Sequence, residues 1–272
     1  MENVEMSSQT AGRPIRLEFR KVEKRFAAQR RGDAPTVAVT DLSLVLREGE
    51  VVSLIGPSGC GKSTLLNMGS GLDPASEGDV LLDGERVLKP NAQVAFMLQK
   101  DLLLPWRSIR ENVEFGLEIR GRPARERREV AIALLNKCRL GGFVNHYPHQ
   151  LSGGMRQRAA LARTLAIDPS VLLLDEPFSA LDAQTKMILQ QDLGRTLGET
   201  GKTALFVTHD LVEAIALSDR VLVMSQRPGT IIEEIVIDIP DRANPMERRK
   251  SEKVGPYVAR LMDLLHIEEA AA

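Results

Sequence analysis

Residues 51–64 read Val-Val-Ser-Leu-Ile-Gly-Pro-Ser-Gly-Cys-Gly-Lys-Ser-Thr, and this stretch decides the fold. Its first five residues form a nearly all-apolar run of strand length, and the last nine fit the pattern G-x-x-x-x-G-K-[ST]. A helical pattern begins at Lys62, which completes the strand, loop and helix order that such a phosphate-binding loop requires. Glycines let the backbone wrap closely round an anion, with successive N–H groups and the helix N-terminus directed at it. The expected cradle is therefore Gly56, Pro57, Ser58, Gly59, Cys60, Gly61, Lys62, Ser63 and Thr64. Pro57 carries no N–H, so the donors start at Ser58. Lys62 is expected on the β and γ phosphates, and the Ser63 hydroxyl on Mg²⁺.

Outward from this loop the chain reads as an α/β protein. Apolar runs at Val51–Ile55, 171–174 and 204–207 suit central parallel strands covered on both faces. Residues 15–22 and 37–46 alternate like an antiparallel flank, and 221–225 and 231–239 are further strand candidates. Helical patterns occupy 62–68, 110–119, 124–138, 155–167, 183–197 and 211–217. Residues 100–167 hold helical patterns without a strand and read as an inserted helical subdomain. The expected division is a disordered tail at 1–14, a core domain at 15–240 and a C-terminal helical extension at 241–272, whose apolar spacing at Val254, Tyr257, Val258, Leu261, Leu264 and Leu265 reads as packing against the core. The fold class is thus a P-loop NTPase core with mixed sheet, antiparallel β flank and inserted helical subdomain.

Composition narrows the function. The 272 residues carry 36 Lys plus Arg against 37 Asp plus Glu, a formal charge of -1, which argues against a broad nucleic-acid or anionic-lipid footprint. The longest apolar run, residues 130–135, falls well short of the ~20 needed to cross a bilayer. Two cysteines, Cys60 and Cys138, without a C-x-x-C pair or a secretory leader pattern near Met1, fit a reducing compartment.

Three further strings converge on the same chemistry. Val171-Leu172-Leu173-Leu174 delivers Asp175 at a strand end, in the crevice where open α/β sheets bind ligands, so Asp175 is expected to hold Mg²⁺ directly or through water. Glu176 beside it is the candidate for orienting or deprotonating the attacking water. His209 follows the run 204–208 and would contact the γ phosphate or fix the water and Glu176. Ser152, Gly153 and Gly154 precede a long helical pattern and would make a second anion-seeking nest.

Together the strings at 56–64, 151–157, 172–182 and 208–210 resemble the ATP-binding subunit of an ABC transporter. The resemblance covers nearly the whole chain outside the N-terminal tail. It implies ATP and Mg²⁺ as ligands, Gln99 as a contact to Mg²⁺ and the attacking water, and Ser179-Ala180-Leu181-Asp182 as the loop joining two sites. Phe26 would stack on adenine. It also implies that Ser152 and Gly153 complete the site of an opposite protomer, so that hydrolysis needs a head-to-tail dimer with an identical chain or a close paralogue. Two departures stand out: Met155 replaces the glutamine that commonly follows L-S-G-G, and the loop between Phe26 and Gly56 is longer than usual.

Three uses of the ATP compete: the peripheral motor of a membrane importer, a soluble ABC-type ATPase acting on DNA or ribosomes, and a P-loop kinase or GTPase. A single cassette with about ninety residues between the phosphate loop and residue 151, and a charge of -1, disfavours the second. The third gives no reason for Ser152 to Gly154 and would require an N-K-x-D string, which is absent. Leu102-Leu103-Leu104-Pro105-Trp106 favours the first, because in ABC importers the corresponding segment lies beside the groove for a membrane subunit's coupling helix. This phrase and Ser225-Gln226-Arg227-Pro228-Gly229 are similar to the nitrate, sulfonate and taurine branch. The implied setting is the cytoplasmic face of the inner membrane, with integral permease subunits as direct partners, a periplasmic or lipoprotein solute-binding protein as an indirect one, and no nucleic acid.

Overall fold

In the computed structural model residues 12–27 and 34–265 are described; residues 1–11 of the expected tail, 28–33 of the following polar loop and 266–272 lie outside them. Alternating strands form one sheet and apolar strands another. β1 (Ile15–Phe26) pairs antiparallel with β2 (Thr36–Arg47). After β3 (Val51–Ile55) and α1 (Lys62–Ser70), β4 (Glu77–Leu82) and the short β5 (Glu85–Arg86) complete a four-stranded sheet ordered β2-β1-β4-β5. β6 (Val94–Met97) enters the second sheet, and α2 (Ile109–Ile119), α3 (Ala124–Lys137) and α4 (Gly153–Ala166) follow it. The remaining elements are β7 (Val171–Asp175), α5 (Ala183–Thr200), β8 (Thr203–Val207), α6 (Leu211–Leu217), β9 (Arg220–Met224), β10 (Ile231–Val236), α7 (Pro245–Arg248) and α8 (Val254–Leu264). The second sheet has six strands in the order β10-β9-β3-β8-β7-β6, parallel throughout except for β10.

The two-residue period of the strands sorts their side chains between two cores. Leu172 and Leu174 pack with Ala95, Met97 and Phe206 against α2, α4 and α5, while Val171 and Leu173 pack with Val52, Leu54 and Leu205 against α1 and the antiparallel sheet. A third cluster joins Ile55, Val221 and Val223 to α6 and to Leu261 of α8, so the C-terminal helix does pack on the core. Among the described residues no helix is long and apolar enough to cross a membrane.

Three strands, β4, β5 and β6, were not marked by the sequence pattern. β4 opens Glu-Gly-Asp, a composition depleted in strands, and β6 is only four residues long. Their partners are remote in sequence: Leu17 pairs with Leu82, and Val94 with Val171. The helix starts are better marked. At α2 the Ser108 hydroxyl accepts from Glu111 N–H while the Glu111 carboxylate accepts from Ser108 N–H, a reciprocal cap that holds the Glu111 carboxyl below its ordinary value, the Ser108 hydroxyl being the largest cause.

One buried ion pair ties both sheets together. Arg220 on β9 donates from Nε to Glu50 Oε1 at 2.6 Å and from Nη2 to Glu50 Oε2 at 2.9 Å, and it also reaches Glu234 on β10 and the Val45 carbonyl on β2. Removing one partner of such a pair strands the other charge in a low-dielectric interior. Glu50→Ala is expected to lower the unfolding free energy by about 3 kcal/mol, the low end for a broken buried pair because Glu234 still faces the guanidinium. Urea unfolding of the two proteins checks this; a loss under ~1 kcal/mol would show that the pair is not a principal clamp.

Candidate functional site: a cleft at the strand ends

The loop after β3 is shaped by what lies behind it. Gly61 has φ 112°, outside the range of L side chains, and a Cβ there would stand 2.7 Å from Val39 Cγ2. No side chain caps the start of α1, so its first N–H groups face outward, the arrangement that suits a bound anion. Ser58, Gly59, Gly61, Lys62, Ser63 and Thr64 line a cleft of about 560 Å³. The other three cradle residues stand behind it. Lys62 Nζ donates to the carbonyls of Gly56 at 2.7 Å and Pro57 at 2.8 Å, and the Cys60 side chain is buried in the core.

Three parallel strand ends bring the predicted acids, amide and imidazole to the same cleft. Asp175, at the end of β7, is buried and hydrogen-bonded to Ser63. Glu176 follows in the left-handed region, φ 48°, with its N–H bonded to Val207 O, a strained backbone at the point where its carboxylate must be aimed. Gln99, just beyond β6, donates from Nε2 to Glu176 Oε2 at 3.2 Å, and His209 Nδ1 lies 3.6 Å from the same oxygen. The Ser63 hydroxyl and Asp175 carboxylate are hard oxygen donors of the kind Mg²⁺ takes. Among the described residues no group of three or more His, Cys, Asp or Glu could hold a metal by itself, so Mg²⁺ at this place would draw most of its shell from phosphate and water.

The His209 turn is held from below. Thr208 Oγ1 accepts from Asp210 N–H at 3.0 Å, and Asp210 caps α6 by accepting from Glu213 N–H at 2.9 Å. Lys186 on α5 bonds both Asp210 (2.7 Å) and the buried Glu213 (2.9 Å); Gln190 then bonds Glu213, and Arg249 bonds Gln190. Gln157 is a site residue the sequence reading quoted only as part of a string. Its Nε2 donates to Glu176 O at 2.9 Å and its Oε1 accepts from Ala180 N–H at 2.8 Å, linking α4 to the loop after Glu176.

Phe26 lines the cleft, 42% exposed, with Lys24 Nζ 5.5 Å from its ring centroid. Ser152, Gly153, Gly154 and Asp182 are not brought to it. Ser152 caps α4 by accepting from Met155 N–H, and Gly153 is exposed in the first helical turn; Asp182 likewise caps α5 through Thr185 N–H. Thr36, Ala38 and Arg227 do line the cleft and were not singled out for it. Nothing local marks them, since they reach the loop only through the pairing of β2 and β9 with their neighbours.

The chain matches the ABC transporter family over residues 39–179. An uncharacterized ABC transporter ATP-binding protein of Methanocaldococcus jannaschii is 46% identical over 231 residues, 85% of either chain. The taurine import ATP-binding protein of Escherichia coli is 42% identical over 219 residues, 80% of this chain and 86% of that one. A dimeric, post-hydrolysis ATP-binding cassette bound to ADP and Pi superposes with a TM-score of 0.75 at 33% identity, covering 82% of this chain and 99% of the other.

Burial pushes the Asp175 carboxyl above its ordinary value, the Ser63 hydrogen bond acting against it and the Glu176 charge with it. The folded chain therefore binds this proton more tightly than the unfolded chain, and stability falls as pH rises from the ordinary carboxylate range through the raised value. At neutral pH the charged group is a net cost to the nucleotide-free chain. Asp175→Asn is expected to raise the nucleotide-free Tm at neutral pH by about 2 °C or more and to abolish the fall in stability that Asp175 contributes as pH rises through its raised value, so that the variant's advantage grows from acid to neutral pH. Thermal unfolding across the acid-to-neutral range checks this; a lower Tm for the variant contradicts it.

Proposed function

The chain belongs to the ABC transporter family and is one of its ATP-hydrolysing cassettes, and on that premise we propose that it is the motor subunit of an importer for a small solute of the nitrate, sulfonate or taurine kind. In this reading triphosphate enters between Phe26 and the phosphate loop. Lys62 leaves its own loop carbonyls for the β and γ phosphates, exchanging neutral acceptors for charged ones, which roughly doubles the strength of each bond. Ser63 and Asp175 would hold Mg²⁺, which when bound neutralises charge on the phosphates. Glu176 takes up the attacking water; Gln99 and His209, both against the same carboxylate oxygen, orient it and the γ phosphate.

Ser152, Gly153 and Gly154 do not line the chain's own cleft, and Ser152 and Gly153 are exposed at the start of α4. Its Ser152, Gly153 and Gly154 are suited to cap the triphosphate of a second cassette, a copy of this chain or a close paralogue, with Asp182 in the connecting loop. The taurine import relatives and the dimeric cassette support this reading.

The observation that carries the importer reading is the loop after Gln99. Arg163 donates to the carbonyls of Asp101 at 2.6 Å and Leu102 at 2.8 Å, Arg156 bonds the Asp101 side chain, and Asn112 both accepts from and donates to Leu104. So pinned, the loop buries Leu103 but leaves Leu102 54% and Trp106 72% exposed. Rigid exposed apolar side chains, an aromatic among them, are what a helix from a partner docks on. Through Gln99 the docking loop touches Glu176, so a permease there senses hydrolysis. The setting is the cytoplasmic face of the inner membrane; a periplasmic or lipoprotein solute-binding protein acts only through the permease.

Glu176→Gln is expected to bind ATP, to accumulate as a dimer by light scattering, and to lose about 10²- to 10⁴-fold in turnover; normal turnover removes Glu176 from the mechanism. Trp106→Ala is expected to reduce co-purification with the permease subunits about tenfold or more, as loss of an aromatic hot spot does, while the isolated chain binds ATP with its parental affinity. Undiminished co-purification rejects the docking role.

A further inference from the structure

The turn between β9 and β10 is brought by the fold against the flank of the phosphate loop. Gly229 N–H donates to Ala38 O at 2.9 Å and Gly229 O accepts from Thr40 N–H at 3.1 Å, fastening the turn to β2. A Cβ on Gly229 would stand 2.0 Å from Cys60 O, so the turn approaches the cradle as closely as only glycine permits. Ser225 closes the turn on itself: its hydroxyl bonds the Gln226 and Pro228 carbonyls and accepts from Thr230 N–H. On this braced turn Arg227 donates from Nε to Gly59 O at 3.2 Å, and its side chain lines the same cleft as Phe26, Ala38, Ser58 and Lys62. Among the described residues its hydrogen-bond partner is that one carbonyl, which leaves further guanidinium donors for a ligand.

Sheet order fixes which part of the ligand it meets. His209, Glu176 and Gln99 follow β8, β7 and β6, all on one side of β3, whereas Arg227 follows β9 on the other side. The guanidinium therefore lies across the phosphate loop from the hydrolytic cluster and beside the β2 wall that carries Thr36 and Ala38.

Resting on the reading of this cleft as a nucleotide site, we propose that Arg227 is a further nucleotide-binding residue, its guanidinium paired with a phosphate oxygen that ADP and ATP have in common. Lys62 and Arg227 then bracket the loop with a cation on either flank. Because the contact is remote from Glu176, it serves retention of nucleotide through the cycle rather than recognition of the γ phosphate.

The test is calorimetric binding of Mg-ADP, and of a non-hydrolysable ATP analogue, to the full chain and to Arg227→Gln and Arg227→Lys, with matched thermal unfolding to verify folding. Arg227→Gln is expected to weaken both ligands about five- to twentyfold in low salt, Arg227→Lys less, and the loss is expected to shrink toward parity as KCl rises to about 0.5 M, because an exposed ion contact is screened. Affinity of Arg227→Gln within twofold of the parent overturns the proposal. A loss that does not change with salt also overturns it, since that marks a prop for Gly59 and not an anion contact. Absence of Mg-ADP binding by the parent chain would instead bring down the nucleotide site itself.

Discussion

Backbone N–H groups attract an anion only where the chain is prevented from satisfying them internally, and the loop from Gly56 to Ser63 is walled into that condition. Val39 and Ala38 press on Gly61, Met224 and Cys60 close behind Gly56, and Gly229 sits against the Cys60 carbonyl. Apart from Cys60, which belongs to the loop itself, these contacts come from β2, β9 and the turn after β9, so the cradle has its shape only when both sheets are assembled. The Arg220 pair with Glu50, reaching also to β2 and β10, clamps those strands at the opposite end from the loop. The clamp thus lies at the opposite strand ends from the cleft, and Glu176, in the left-handed region, lies at the cleft itself.

The acids and hydroxyls that mark the motifs also fasten the framework. Ser152, Asp182 and Asp210 each cap a helix by accepting from the N–H three residues on, so each of these helix starts is set by a residue of a motif string. For Asp210 the cap belongs to a longer chain of contacts. Lys186, Gln190, Glu213 and Arg249 connect the His209 turn to α5 and to the C-terminal segment, largely out of water. A buried polar network of this kind is costly unless every member is paired, and paired it fixes one arrangement of the turn. The C-terminal helices are thus joined to the cassette by polar contacts as well as by the apolar cluster around Leu261.

Much of this was legible in the residues themselves. A phosphate-loop motif is local: its glycines, lysine and hydroxyl are contiguous, and β3 and α1 flank it directly, so its position and the role proposed for it follow from residues 51–64 alone. The same holds for β7 delivering Asp175 and Glu176, for β8 delivering the turn with His209, and for the helix caps, all short-range devices. Convergence of the acids and His209 was inferable because each stands at the end of an apolar strand, and parallel strands place such ends on one edge; Gln99 was reached only through the family resemblance, since β6 does not declare itself.

Tertiary structure decided the rest. β4 and β6 have too few or too polar residues to declare themselves, and exist because β1 and β7 pair with them across the chain. Arg227 and Gln157 acquire their places only when β9 lies beside β3 and α4 beside the end of β7. The separation of Ser152, Gly153 and Gly154 from the chain's own cleft is likewise a fact of packing. Sequence spacing specifies which groups a segment offers; which groups meet depends on sheet order and helix docking, because those contacts join residues whose separation along the chain carries no periodic signal.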